Sequence, residues 1–96
     1  MITVREAEII IQRLGGKPQF DSHDFILLYL EKFPYSYFSM MRAKDNQVNM
    51  VNADIANFLK KHQVSLGIRE EAGKVTSLDL YSNPAECALW TIIKDN

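Results

Sequence analysis

Two histidines, one cysteine and two acidic pairs are the residues of this chain best suited to catalysis or metal binding. Tested as constellations, they do not combine. His23 and His62 lack the spacing of a ligand pair, and no second cysteine accompanies Cys87, so the pattern of a zinc site is missing. Cys87 has no basic neighbour in sequence to stabilise a thiolate, and Ala88, Leu89 and Trp90 beside it point to a buried, inert thiol. Glu6 with Glu8 and Glu70 with Glu71 fall on positions read as surface. Gly15-Gly16 follows a helical pattern without opening a strand-to-helix turn, which makes it a helix stop rather than a phosphate loop. The expectation is a non-enzymatic chain with no cofactor and no metal.

Bulk properties narrow the classes further. The chain has 96 residues, 47% hydrophobic and 24% charged, with a net charge of -1. This composition suits one small globular domain over residues 1–96 and excludes a disordered tail or a disulfide scaffold. Near-neutrality argues against a uniformly basic nucleic-acid binder. The longest apolar runs, Ile9–Ile11 and Phe25–Leu28, fall far short of a membrane span. A lone cysteine forms no internal disulfide, and the first residues lack the apolar core of a secretion signal. The expected location is therefore cytoplasmic.

The elements that must position these residues follow from periodicity. Thr3-Val-Arg-Glu6 is a capping box, and Val4, Ala7, Ile10, Ile11 and Leu14 repeat at helical spacing, so a helix is expected over 3–14, stopped by Gly15-Gly16 in a left-handed conformation. Lys17-Pro-Gln19 reads as a connector. A second helix, apolar nearly all round, runs to Phe33, with Asp21 or Ser22 as cap and Phe20 stapled onto Phe25. Pro34 ends it. Tyr35–Lys44 reads as a short third helix capped by Ser36. Asn52–His62 reads as a fourth, capped by Asn52 and closed by Lys60, Lys61 and His62, whose charges suit the negative helix end.

Beyond His62 the period becomes alternating. Val64–Glu71 and Val75–Tyr81 are expected to form a β-hairpin around Ala72-Gly-Lys74. A second turn covers Ser82–Glu86. Cys87–Ile93 reads as a third strand, with a helix as the alternative. Trp90 is read as a core anchor with its indole N–H satisfied. The expected fold class is α+β: about four helices followed by a C-terminal antiparallel β-hairpin or three-stranded sheet.

Helices followed by a hairpin, together with Asp54-Ile55-Ala56-Asn57-Phe58-Leu59, resemble the winged helix-turn-helix superfamily over roughly residues 21–93. That resemblance implies a winged-helix-like module in which the helix before the wing enters the major groove of duplex DNA and the wing touches backbone. It implies base or phosphate contacts from Asn57, Lys60, Lys61 and Gln63, and a wing contact from Lys74. Arg42, Lys44 and Arg69 could add phosphate contacts. From Arg42 to Arg69 five basic residues (Arg42, Lys44, Lys60, Lys61, Arg69) stand against two acidic ones (Asp45, Asp54), a local excess of three within an otherwise acid-balanced chain.

A competing reading starts from Tyr35, Tyr37, Phe38, Met40 and Met41. This cluster holds more large apolar side chains than one face of a short helix buries. It is either core or a surface for a protein partner or a homodimer.

Overall fold

Local capping begins the fold where the sequence places it. The computed structural model describes residues 1–93, and in it helix α1 spans Val4–Leu14. Thr3 Oγ1 accepts from Glu6 N, and Thr3 N donates to Glu6 Oε1, which closes the capping box. The same device starts α2, Ser22–Lys32: Asp21 accepts from Asp24 N while Asp21 N donates to the Asp24 carboxylate. Phe20 and Phe25 lie either side of this cap with ring centroids 6.3 Å apart, the expected staple.

Helix α3 covers Pro34–Ala43, one residue earlier than expected, because the fixed φ of Pro34 suits a first helical position. Ser36 is therefore inside the helix, and its hydroxyl donates to Glu6 Oε2 instead of capping. Asp45 and Asn46 both take positive φ (53° and 59°) and turn the chain sharply into α4, Val48–Lys61. Asn52 is accordingly a mid-helix residue, and its Oδ1 accepts from the buried Tyr37 hydroxyl at 2.8 Å. The stop after α1 also differs. Gly15 has φ -70°, not a left-handed value; its Cβ-free backbone sits so close that an added Cβ would meet Gln12 O at 3.2 Å.

Residues 64–66, expected to begin a strand, fall with Gln63 in the short helix α5, Gln63–Leu66. Gly67 ends it at φ 66°, in the left-handed region that glycine occupies without penalty. Val64 consequently points into solvent at 96% exposure, whereas Leu66 is buried. The strands are β1, Gln19–Asp21; β2, Ile68–Leu78; and β3, Pro84–Ile92. They form one antiparallel sheet in the order β1-β3-β2. The segment read as a connector is thus an edge strand. It has too few residues to show a period and forms because β3 offers it an open edge.

The expected turn at 72–74 is instead a bulge inside β2. The pairing passes from Glu70↔Trp90 to Lys74↔Ala88, and Gly73 at φ 82° takes up the extra length. The hairpin turn lies at Asp79–Asn83, where Asp79 Oδ1 accepts from both Tyr81 N and Asn83 N. The fold is α+β, with five helices and a three-stranded antiparallel sheet among the described residues.

The buried side chains gather into one cluster around Trp90, Tyr29 and Phe25. Trp90 Nε1 donates to the buried Ser22 hydroxyl at 3.0 Å, and that hydroxyl reaches the carbonyl of Ala88. Both polar atoms are satisfied without water, as burial requires. No described helix is long and apolar enough to cross a membrane.

Candidate functional site

Helix α4 and the β2–β3 hairpin run past one another without closing, and the gap is a groove of about 360 Å³. Asn57 and Lys60 stand on the α4 wall, Glu70 and Lys74 on β2, and Glu86 and Cys87 on β3. Ser22, His23 and Trp90 complete the lining from the start of α2 and from β3.

The α4 wall follows from helical period. Val51, Ile55 and Leu59 are fully buried, which turns Met50, Ala53, Asp54, Asn57, Lys60 and Lys61 outward as one stripe. Three of the residues implied for nucleic acid therefore share an open helix face. Lys74 lines the other side of the groove, within the long strand rather than at the tip of the hairpin. The tip itself, Asp79-Leu-Tyr-Ser-Asn83, carries no basic residue.

Gln63 is placed differently from the expectation. Its Nε2 donates to the Lys60 carbonyl at 3.0 Å, and its Oε1 accepts from Glu70 N at 2.9 Å. Both ends of the amide are used to join the end of α4 to β2, so this side chain is a clip between the walls rather than a base reader. Lys61 faces away from the groove, toward a second depression of about 500 Å³ lined by Ile2, Met40, Phe58 and His62. Asn57 lines both depressions and forms the ridge between them.

Charges on these walls are largely matched. Lys60 Nζ lies 3.6 Å from Glu70 Oε2, and Lys44 Nζ lies 3.4 Å from Asp54 Oδ2. Arg69 is held by Glu71 at 3.2 Å. A hydrogen bond from Thr91 and the Arg69 guanidinium hold the Glu71 carboxyl below its ordinary range. All three ion pairs are at least partly solvated, and those of Lys60 and Lys44 each contribute little, about 0–1 kcal/mol.

The aromatic segment of α3 divides by the same period. Tyr37 and Met40 are buried at 2% and 7% exposure, and Met41 packs half-buried against the core. These three offer no free interface. Tyr35 and Phe38, at 88% and 52%, face solvent, with Arg42 one turn further along. Burial, with a smaller push from the nearby Tyr81, raises the Tyr37 hydroxyl to about 12. Tyr29 moves in the same direction, first because it is buried and then because its hydroxyl faces the Glu6 carboxylate.

One grouping has no signal in the sequence. Asp21, His23 and Cys87 each offer a donor atom within 4.8 Å of the other two. His23 Nδ1 also shares a hydrogen bond of 2.7 Å with Ser77 Oγ, which lies 3.7 Å from Cys87 Sγ. Asp21 and His23 are two residues apart, but Cys87 lies more than sixty residues further along the chain, and sheet pairing brings it to them. Compared with known proteins, the chain matches no protein-family model, no curated protein and no solved structure.

Proposed function

We propose that this chain is a small, non-enzymatic, winged-helix-like module that binds duplex DNA and works in the cytoplasm, where a lone cysteine stays reduced. The observation that carries the reading is the outward stripe of α4, which presents Asn57, Lys60 and Lys61 on one face while Lys74 stands across the groove. The position of α4 before an antiparallel hairpin, with only the single turn of α5 between them, supports the same reading, since such a helix can lie in a major groove while the strands approach backbone. Lys60 can exchange Glu70 for a phosphate at small cost, because a solvated pair of this kind is worth under about 1 kcal/mol. Asn57 is the side chain suited to adenine, and the lysines are suited to phosphate or guanine.

Fluorescence anisotropy with a labelled duplex tests this. Three phosphate contacts give a log–log salt slope of roughly -2.7, or about fortyfold weaker binding between about 50 and 200 mM salt. Lys60→Glu with Lys61→Glu abolishes the signal. No binding at low salt, or binding indifferent to that charge reversal, overturns the reading.

A second reading, docking of a protein partner or a second copy, is favoured by the exposure of Tyr35 and Phe38 on α3. Light scattering on the wild type and on Tyr35→Ser with Phe38→Ser separates the two. Self-association lost in the double variant supports the interaction module, and duplex binding unchanged by it supports the α4 surface.

A further inference from the structure

We propose that Asp21, His23 and Cys87 bind a divalent ion of the zinc class at the inner end of the groove. The grouping is a product of topology. β1 pairs antiparallel with β3 through Asp21↔Leu89, and two residues further along this register position 23 falls opposite Cys87. At that point the chain has already turned into α2, so Asp21 and His23 flank Ser22 and both approach Cys87 from the helix start.

The donor set is sulfur, nitrogen and oxygen, with all three atoms within 4.8 Å of one another. A tetrahedral zinc ion with ordinary bond lengths separates its ligand atoms by about 3.3–3.6 Å, so closing the site takes side-chain rotation of about 1 Å rather than backbone movement. A thiolate selects a zinc-class ion over calcium or magnesium, which prefer oxygen alone. Cys87 Sγ gives its proton to solvent as the sulfur–metal bond forms.

The surroundings fit such an ion. Cys87 is buried and Asp21 and His23 are half-buried, which limits competition from water. Ser77 Oγ, 2.7 Å from His23 Nδ1 and 3.7 Å from Cys87 Sγ, holds the imidazole beside the thiol. Asp21 caps α2 through Oδ1, which accepts from Asp24 N, so Oδ2 can serve the metal without dismantling the cap. Three protein ligands leave a fourth position, and because His23 and Cys87 line the groove that position faces it.

Titration of the full chain with Co²⁺, used as a spectroscopic stand-in for Zn²⁺, tests the site. The expected result is saturation at one ion per chain with a thiolate-to-cobalt charge-transfer band, bleached by an equivalent of Zn²⁺. Cys87→Ser removes the band. His23→Gln and Asp21→Asn each weaken uptake at least tenfold, and asparagine at position 21 keeps the helix cap, so that variant remains folded. Zn²⁺ also raises the melting temperature of the wild type by several degrees and leaves that of Cys87→Ser unchanged. Absence of stoichiometric uptake at micromolar protein, or a band that survives Cys87→Ser, overturns the proposal. So does uptake unaffected by both His23→Gln and Asp21→Asn. No DNA enters the experiment, so its outcome is independent of the nucleic-acid reading.

Discussion

Two of the junctions between elements of this fold each rely on a single side chain bonded at both ends. At the first, the Glu6 carboxylate on α1 accepts from Thr3 N, the Tyr29 hydroxyl on α2 and the Ser36 hydroxyl on α3. At the second, the Gln63 amide ties the Lys60 carbonyl to Glu70 N, beside the exposed Lys60–Glu70 ion pair. The first is set against a fully buried tyrosine, so losing an acceptor strands a polar group away from water. The second lies at the rim of the groove, where water can replace whatever is lost. The same kind of device thus makes a rigid corner in one place and an adjustable one in the other. It also separates roles on the groove wall: Gln63 holds two backbone groups and is committed, whereas Lys60 holds only a solvated carboxylate and is available.

The largest effect expected of this contrast is from Glu6→Ala. It removes an acceptor from two hydroxyls and opens a capping box, a loss of roughly 2–4 kcal/mol. Urea unfolding measures it; a loss under 1 kcal/mol would make the two junctions equivalent. Alkaline unfolding comes next. Tyr37 holds its proton more tightly folded (about 12) than at the ordinary value of 10.0, so its contribution is intact below about pH 10 and is lost as pH rises toward 12. The full loss is roughly 2–3 kcal/mol, with Tyr29 adding in the same direction. A stability curve flat across that window contradicts it, and Tyr37→Phe should remove part of the fall.

Gln63→Ala is smaller, about 1 kcal/mol, since both freed backbone groups can reach water. Hydrogen exchange should show the loss locally, as faster exchange at Glu70 N with α1 and α2 unaffected. The smallest stability effect is that of Glu70→Gln, within about 0.5 kcal/mol. The same change frees Lys60 and should tighten duplex binding by roughly threefold to fivefold, the equivalent of an exposed ion pair of under about 1 kcal/mol. Unchanged or weaker binding would mean that Lys60 does not meet phosphate.

Features whose partners lie within a few residues were legible beforehand. The box at Thr3/Glu6, a cap at Asp21 or Ser22 (Asp21 takes it) and the Phe20–Phe25 staple are of this kind, because a helix start is stabilised by its own first turn. So was the outward register of Asn57, Lys60 and Lys61, which follows from the apolar positions between them. Elsewhere a neighbour in space outweighs the local pattern. Val64-Ser-Leu alternates like a strand, yet Gly67 allows a helical turn that seats Leu66 in the core. Ala72-Gly-Lys74 has the composition of a turn, yet β3 continues past it and makes it a bulge. Tyr37 and Met40 are large and mainly apolar, as Tyr35 and Phe38 are, and only the packing of α3 against its neighbours decides which of them face inward.

By itself, then, the sequence determined the α+β class, the starts of α1 and α2, the presence of a late antiparallel hairpin and the stripe of polar residues on α4. These depend on short-range capping and on periodicity, which act within one or two turns of chain. Only the tertiary structure decided the edge strand Gln19–Asp21, the clip made by Gln63, the width of the groove and the meeting of Asp21, His23 and Cys87. Each of these needs two segments distant along the chain to be held side by side, and that is settled by the register of β3 against both neighbours and by burial around Trp90.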